Sequence, residues 1–299
     1  MKIEEIAFVD PTIIANHFHT QTGCLWLDSA KENDALSRYS YIAIDPFETI
    51  RAKNGTVTLK DRSVQTDKPL DFLHELLATY QTPYYDDFPP FQGGAAGYFS
   101  YDLRHTLEQL PKTELDDQQF PDLMLGLYDL VIAFDNIKQR AWIISTGFPE
   151  TKSDNKNQRA IKRLNWLNAE LNQLTALPGI SNIFCRESDI TSNFNQKSYE
   201  RAVQKTIDYI LSGDIFEANI SQRFQAPLPL QLHPFELYRR LRTFNPAPFA
   251  AYFNAGDNYI ASASPERFIK VVQNEVETRP IKGTRPRGKT EAEDRILAQ

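Results

Sequence analysis

The sequence predicts an α+β fold in which antiparallel sheets are flanked by helices. Short apolar segments bounded by turn residues recur along the chain and predict strands, for example at residues 25–27 and 259–264. Apolar residues at helical spacing are confined to residues 69–80, 159–177, 196–211 and 235–244. Strands therefore come in runs with helices between the runs, which differs from the strict βαβ alternation of a parallel sheet.

The first half of the chain is expected to be rich in strands. Strands are predicted at 25–27, 38–44, 47–53 and 56–60, and Asn54-Gly55 is a strong signal for a two-residue hairpin turn. This succession predicts a β-meander. A glycine-containing strand at 93–99 precedes one long strand at 122–134, which is expected to pair with 139–145.

The second half begins after a candidate linker. Residues 151–157 are polar and lack apolar anchors. We expect one region at 1–150, a linker and helix at 151–194, and a further region at 195–299. Later strands are predicted at 216–226, 248–254, 259–264 and 268–272, and then from a turn at 273–274 to Arg279.

Composition excludes several classes of protein. The net charge of −6 and the pI near 5.5 argue against general nucleic-acid binding. The two cysteines, Cys24 and Cys185, indicate neither a disulfide framework nor a zinc site. No signal-peptide pattern opens the chain, and no apolar run approaches the roughly 18 residues that span a membrane. We therefore expect a cytoplasmic protein that does not enter a membrane.

One loop reverses the acidic character of the chain. Residues 279–289 contain five cations and no acid: Arg279, Lys282, Arg285, Arg287 and Lys289. This predicts an anion site, with guanidinium groups to hold carboxylates. A lysine among other cations has a lowered pKa, which makes Lys282 a candidate nucleophile. A solvated basic loop explains the charge equally well.

The same loop matches the P-loop pattern at residues 283–290. A P-loop should follow a buried apolar strand, whereas residues 274–279 are mostly polar. Only nine residues follow Thr290, too few for another strand of such a fold. We interpret the match as coincidence.

Three segments in order resemble the chorismate-binding region of the anthranilate synthase and aminodeoxychorismate synthase large subunits. They are Gly213-Asp214-Ile215-Phe216-Glu217-Ala218-Asn219-Ile220-Ser221-Gln222-Arg223-Phe224, Ser264-Pro265-Glu266-Arg267-Phe268 and Arg279-Pro280-Ile281-Lys282-Gly283-Thr284. The resemblance implies the anthranilate synthase component I fold, with 1–150 as its N-terminal region and 195–299 as the start of its chorismate-binding domain. It also implies chorismate as substrate, Mg²⁺ as cofactor and a glutaminase partner that supplies ammonia.

Two positions bear on the product. Lys282 matches members that resemble aminodeoxychorismate synthase, whereas anthranilate synthases usually carry alanine there. The resemblance therefore implies synthesis of 4-amino-4-deoxychorismate, toward 4-aminobenzoate and folate. Glu217 departs from the family pattern, since the amidating members typically carry glutamine at this position and the water-using members carry lysine.

The resemblance also implies roles for individual residues. Lys282 would attack the ring as a covalent nucleophile, and Glu266 would act as general acid/base from a strand placed beside it by the 273–274 hairpin. Arg279, Gly283 and Thr284 would bind the substrate. The alternative for Glu266 is a structural ion pair with Arg267 or Arg279.

A second ligand pocket is implied near the start of the chain. Asp28-Ser29 and residues 245–249, including Pro248 and Phe249, resemble the two segments that hold tryptophan in this family. Asp28 would bind the α-amino group and Ser29 would form a hydrogen bond. A strand-end turn and a proline-stiffened loop are the structural alternative.

The sequence ends at Gln299, inside a predicted helix. Family members continue beyond the matching point and carry their magnesium-ligand glutamates there. We therefore expect a truncated chain that is inactive alone, with its Mg²⁺ ligands beyond Gln299. A remnant that acts only as a binding module and an anthranilate synthase large subunit remain as alternatives.

Overall fold

The computed structural model describes residues 1–31, 35–111, 116–281 and 286–297. Its strands are β1 (Lys2–Ile6), β2 (Leu25–Asp28), β3 (Tyr39–Ala43), β4 (Glu48–Lys53), β5 (Thr56–Thr58), β6 (Ser63–Gln65), β7 (Gly94–Phe99), β8 (Leu123–Tyr128), β9 (Leu130–Asp135), β10 (Arg140–Ser145), β11 (Thr191–Ser192), β12 (Phe224–Gln225), β13 (Phe249–Asn254), β14 (Tyr259–Ser264), β15 (Lys270–Val272) and β16 (Glu275–Glu277). Its helices are α1 (Pro11–Phe18), α2 (Pro69–Ala78), α3 (Ser153–Leu171), α4 (Gln196–Ser212), α5 (Pro234–Phe244) and α6 (Glu291–Leu297).

Contacts divide the chain into two compact units. The first unit contains residues 1–178 together with those from Tyr238 onward, and the second contains residues 179–237. The second unit holds α4 and the β11–β12 pair. The division at residues 150 and 195 stays a prediction. The α+β class with antiparallel sheets is confirmed, because every strand pair in the described residues is antiparallel.

A seven-stranded sheet joins the two ends of the first unit. Its order is β1-β10-β9-β3-β2-β13-β14. Strand β13 pairs with β2 so that Ala250 lies opposite Asp28. Segments more than two hundred residues apart in sequence therefore lie side by side, and this brings the strand end at Asp28 next to the loop before β13.

A five-stranded sheet has the order β6-β5-β4-β8-β7. The Asn54-Gly55 hairpin between β4 and β5 is confirmed, with φ of 49° and 75° at the two residues. The expected β-meander is wrong, because β3 and β4 belong to different sheets. Asp45 takes a positive φ of 47° between them, where the chain turns from one sheet to the other.

The expected strand at 122–134 is also wrong in extent. It is two strands, β8 and β9, and Asp129 between them marks the change of sheet. The Asp129 side chain is fully buried and pairs with two arginines of α3. Its Oδ1 atom lies 3.1 Å from Arg163 Nη2, and its Oδ2 atom lies 3.4 Å from Arg159 Nε. Burial raises the pKa of Asp129, and the two guanidinium groups oppose that rise.

A hydrophobic core of the first unit lies between its seven-stranded and five-stranded sheets. Leu25, Val131 and Phe253 of the larger sheet pack with Met124 and Tyr128 of the smaller one. The other face of the smaller sheet is covered by α2, whose Leu73 is buried against that sheet's apolar residues. The helical periodicity at 69–80 is therefore confirmed as a core-facing stripe.

Helix α3 begins earlier than expected. Residues 153–157 form its first turns, so the interpretation of 151–157 as a linker is wrong. The helix is anchored by buried Ala160, Leu164 and Leu167, and it ends at Leu171 rather than at 177. A polar first turn carries little signal, because a helix needs apolar residues only where it meets the core.

In the second unit, α4 matches its prediction closely. Asn195 and Ser198 form a capping box at its start, and Gly213 ends it with a φ of 84°. The strand expected at 216–226 is reduced to β12, and Phe216 is 94% exposed. None of the helices in the described parts of the chain combines the length and the apolar composition of a membrane-spanning segment.

Candidate functional site

The residues proposed to act on the substrate divide into described and undescribed positions. Lys282, Gly283 and Thr284 lie outside the described residues. Glu266 and Arg279 are described, and so is Ile281, which directly precedes Lys282 in the chain. The geometry of the candidate site is therefore built from the residues on either side of the loop.

Glu266 lies in the turn that follows β14. Its backbone is fixed by Ser264, whose hydroxyl donates to the Glu266 carbonyl at 3.0 Å and accepts from the Glu266 amide at 3.4 Å. The Glu266 Oε1 atom accepts a hydrogen bond from the Ile281 amide at 3.4 Å. The turn, rather than a neighbouring strand as expected, thus brings this exposed carboxylate beside the residue that precedes Lys282.

The nearby arginines pair with a different acid. Arg267 Nη1 lies 2.5 Å from Glu277 Oε1, and Arg279 Nε lies 3.0 Å from the same oxygen. Desolvation acts to raise the pKa of Glu277, but the hydrogen bond from Arg279 and the surrounding cations prevail and lower it. The arginines suggested as structural partners for Glu266 are therefore bonded to Glu277, and Arg279 is exposed at the entrance to the loop.

The first of the three matching segments, residues 213–224, lies in the second unit. Gly213 there ends α4, and Glu217 is exposed. Asn193 Oδ1 accepts from the Arg223 amide at 2.8 Å and so orders the end of the segment.

The two segments compared with a tryptophan site are neighbours in the first unit. The Ala30 amide donates to the Ala247 carbonyl at 3.1 Å, directly after Asp28-Ser29 and directly before Pro248. Pro248 is buried, and the Phe249 ring lies 5.1 Å from the Arg267 guanidinium carbon. The pairing of β2 with β13 produces this proximity.

Asp28 is bonded to two residues that the sequence did not single out. Its Oδ2 atom accepts from the Tyr238 hydroxyl at 2.9 Å and from Arg242 Nε at 2.6 Å. Burial raises the pKa of Asp28, while Arg242 and Tyr238 oppose that rise. The spacing of four residues places Tyr238 and Arg242 on one side of α5, but nothing in the sequence indicates that this side faces Asp28.

Two cavities border these segments. A cleft of about 900 Å³ is lined by Asp10, Asp28, Ser29, Lys31 and Arg242, among others. A smaller cavity of about 340 Å³ is lined by residues 245–248 and also by Pro265 and Ile281. Asp28 and Ser29 therefore line the first cavity and Pro248 the second, while Lys31 lines both.

The described residues around this loop also bear on metal and nucleotide binding. Among the described residues, no group of three or more His, Cys, Asp or Glu side chains could hold a metal ion. The amides of Gly288 and Lys289, which a P-loop would offer to phosphate, donate to Asp294 and Glu293 of the chain itself at 2.7 and 2.8 Å. This geometry agrees with the interpretation of the P-loop match as coincidence.

Comparison with known proteins identifies the family. The family described as chorismate binding enzyme matches residues 22–299. The chain belongs to this family. It is 36% identical over 269 residues to anthranilate synthase component 1 of Thermus thermophilus, covering 90% of this chain and 56% of that protein. It is 34% identical over 271 residues to aminodeoxychorismate synthase component 1 of Bacillus subtilis, covering 87% of this chain and 55% of that protein.

A solved structure supports the same relationship. Anthranilate synthase component I from Streptococcus pneumoniae TIGR4 matches with a TM-score of 0.66 and 27% identity, covering 82% of this chain and 54% of that one. The expected fold is thereby confirmed. The chain spans about half the length of the relatives it matches. Relatives with either product are similarly close, so identity alone does not assign the product.

Proposed function

We propose that this chain provides part of an enzyme that converts chorismate and ammonia to 4-amino-4-deoxychorismate. The observation that carries the proposal is the bond between Glu266 and the Ile281 amide, at 3.4 Å. It fixes an acid next to the backbone of the residue before Lys282. The candidate general acid therefore lies beside the residue that directly precedes the candidate nucleophile in the sequence.

Each residue has a defined task in this reaction. The neutral amine of Lys282 attacks the ring, and the ring hydroxyl leaves as water with a proton from Glu266. Ammonia then attacks the ring, Lys282 departs as the neutral amine, and Glu266 recovers a proton from the ammonium group that the added nitrogen forms. A glutaminase partner supplies the ammonia.

Substrate carboxylates are bound by the cationic loop. Arg279 is exposed and shares Glu277 with Arg267, and exchange of an exposed ion pair for a substrate carboxylate costs little. Gly283 and Thr284 contribute backbone and hydroxyl donors in this proposal. Recognition therefore uses the loop that reverses the charge of an otherwise acidic chain.

Mg²⁺ is the cofactor that the family resemblance implies. The described residues do not supply a set of acidic or histidine ligands for it. We propose that its ligands come from sequence outside these 299 residues. When bound, the ion would offset the negative charge of the chorismate carboxylates.

Anthranilate synthesis is the second candidate function. The 36% identity to the Thermus thermophilus anthranilate synthase component favours it as much as the 34% identity to the Bacillus subtilis protein favours aminodeoxychorismate synthesis. Lys282 favours aminodeoxychorismate synthesis, because direct attack by ammonia, as in anthranilate synthesis, does not need a lysine. A chain that only docks a glutaminase is a third candidate. For that candidate, a chain extended by the remaining family sequence should give no heat in titration calorimetry with chorismate and Mg²⁺.

We also propose that the cleft beside Asp28 and Ser29 binds an amino acid such as tryptophan. Both bonds from Tyr238 and Arg242 go to Asp28 Oδ2, so Oδ1 is the oxygen that would accept from an α-amino group. The Ser29 hydroxyl donates to the Tyr39 carbonyl at 2.5 Å and must turn to contact a ligand. Calorimetric titration with tryptophan should give saturable heat that Asp28→Asn abolishes; equal heats from both proteins would rule out this role for Asp28.

The experiment for the main proposal uses two forms of the protein. The 299-residue chain alone should give no product from chorismate and ammonium. A completed chain, in which these residues are followed by the sequence of the Bacillus subtilis relative that they do not span, should give 4-amino-4-deoxychorismate, identified by mass spectrometry. Anthranilate as the sole product of the completed chain would contradict the proposal.

A further inference from the structure

A cavity of about 280 Å³ lies between the seven-stranded and five-stranded sheets, beside the start of β2. Thr49 of β4 lines it directly opposite Gly126 of β8, and Arg51 lies opposite Met124 in the same strand pair. Alternate residues of a strand point to one face, so these four positions share the face of the smaller sheet that packs on the larger one. Phe253 of β13 lines the cavity from the larger sheet. We call this space the inter-sheet cavity.

The wall of the inter-sheet cavity is held by close contacts. Gly23 has a φ of 82°, and a Cβ atom there would lie 2.6 Å from Cδ of Pro46, so the turn before β2 requires glycine. A Cβ atom at Gly126 would lie 2.6 Å from the Tyr128 ring. The Tyr128 hydroxyl donates to the Gly23 carbonyl at 2.7 Å and joins the two sheets at the cavity. The cavity is therefore preformed, as small-molecule sites usually are.

Two cations line the exposed side of the cavity. Lys60 Nζ donates to the carbonyls of Pro46 at 2.8 Å and Phe47 at 3.0 Å, so one of its three ammonium donors has no partner in the described part of the chain. Arg51 Nη1 lies 3.0 Å from the carboxylate of Asp257, which is 81% exposed. An exposed pair of this kind contributes little to stability, so Arg51 can exchange Asp257 for another carboxylate at low cost.

The charge of the lining favours an anion. Asp45 is the one acid among the described lining residues, and its Oδ2 atom pairs at 2.5 Å with Nη1 of Arg163, which does not line the cavity. The charge of Asp45 is thus neutralised from outside, whereas Arg51 and Lys60 keep the lining cationic.

The inner wall is apolar and mostly aromatic. Met124, Tyr128 and Phe253 line it and are at most 3% exposed. An inorganic anion would leave this wall without a contact, whereas an aromatic ring packs well against aromatic rings and a methionine sulfur. A volume of about 280 Å³ is at the lower end of the range for ligand pockets, which fits a ligand with one ring.

We propose that the inter-sheet cavity binds a small aromatic carboxylate. The ring lies against Tyr128 and Phe253, and the carboxylate accepts from Lys60 and from Arg51, which releases Asp257. Because both sheets contact the ligand, binding stabilises the folded chain.

This site is separate from those proposed above. Asp28, Ser29 and the described residues of the 279–289 loop do not line the inter-sheet cavity. The inference therefore depends neither on the product of the enzyme nor on tryptophan binding.

The test is titration of the 299-residue chain with three probes, followed by calorimetry and by thermal unfolding. Benzoate carries a ring and a carboxylate, benzamide carries the ring without the charge, and acetate carries the charge without the ring. Benzoate should give saturable heat and a Tm that rises with its concentration. Benzamide and acetate should bind at least about tenfold more weakly. Absence of benzoate binding, or equal binding of either other probe, overturns the proposal.

Variants locate the bound benzoate. Thr49→Phe fills the cavity and should abolish binding, and Arg51→Met should weaken it about tenfold or more. Arg62→Met is the matched control, because Arg62 is exposed and does not line the cavity; affinity should stay within about twofold. Circular dichroism checks that each variant is folded. Wild-type affinity in Thr49→Phe would show that benzoate binds elsewhere.

Asp257→Asn gives a prediction of opposite sign. Loss of the competing carboxylate should raise the affinity for benzoate about two- to fivefold, which a merely structural role of the Arg51–Asp257 pair would not do. Arg279→Met should leave the affinity unchanged, because the cationic loop is not this site. Weaker binding by Asp257→Asn, or loss of binding in Arg279→Met, would contradict the proposal.

Discussion

Glu266 and Ile281, fifteen positions apart in the sequence, are joined by a hydrogen bond. The carboxylate accepts from the backbone amide at 3.4 Å, and the β15–β16 ribbon lies in the intervening chain. The ribbon folds back on itself and returns the chain to the turn after β14. Glu266 of the segment 264–268 is thereby held beside Ile281 of the segment 279–284.

Replacement of Glu266 tests its assignment as the general acid. Loss of the ring hydroxyl needs a proton in the transition state, and general acid catalysis is worth roughly 10²–10⁴-fold. In the completed chain, Glu266→Gln should lower kcat by about that factor with little change in KM.

The control for this variant is Glu275→Gln, an exposed acid on β16 of the same region. Its kcat and KM should remain near those of the unaltered protein. A large rise in KM at constant kcat for Glu266→Gln would instead identify a residue that positions the substrate.

The bond between Asp28 and Arg242 should contribute strongly to stability. Arg242→Met removes one of the two donors to Asp28 and leaves the hydrogen bond from Tyr238. Removal of one member of a buried ion pair lowers the free energy of unfolding by about 3 kcal/mol or more. Asp28→Asn/Arg242→Met should recover part of the loss. Arg140→Met, which breaks the exposed pair with Glu5, should change the urea midpoint little. Equal midpoints for Arg242→Met and Arg140→Met would contradict this assignment.

The Arg38–Asp135 pair should make stability depend on pH. Asp135 accepts from Arg38 Nε and Nη2 at 3.0 and 2.8 Å. Burial acts to raise the pKa of Asp135, but these bonds and the Lys138 amide prevail and lower it. The stabilisation is therefore complete above the unfolded pKa of about 4 and is lost as the pH falls through the lower folded value.

Thermal unfolding measures this dependence. Asp135→Asn should have a lower Tm than the unaltered protein at about pH 7, and the difference should shrink toward about pH 3. Asp257→Asn, at an exposed carboxylate that pairs with Arg51, should show little difference at either pH. A difference for Asp135→Asn that grows on acidification would have the wrong sign.

Most elements with a clear period or turn signal could be predicted from the sequence. The Asn54-Gly55 hairpin and the Gly213 helix end each depend on local chemistry, and both are observed. Strand β1 and helix α1 were not predicted. The first is an edge strand with two exposed glutamates, and the second has only eight residues, so neither shows a long apolar pattern.

The errors in the sheets share a physical cause. Residues 122–134 are apolar almost throughout because both β8 and β9 are fully buried, and one aspartate is the only sign of the change of sheet. Sequence periodicity reports burial on each strand and carries no information about which strand is its neighbour. For the same reason the sequence did not indicate Tyr238 and Arg242, because their contact with Asp28 depends on long-range packing.

The product made by Lys282→Ala tests the covalent step most directly. The completed chain and this variant are each given chorismate and ammonium, with Lys289→Ala as a control at another lysine of the same loop. The unaltered chain and Lys289→Ala should make 4-amino-4-deoxychorismate. Lys282→Ala should make aminodeoxyisochorismate or anthranilate, because ammonia then attacks the ring carbon that the lysine otherwise occupies. Wild-type rates and 4-amino-4-deoxychorismate alone from Lys282→Ala would show that Lys282 is not the nucleophile.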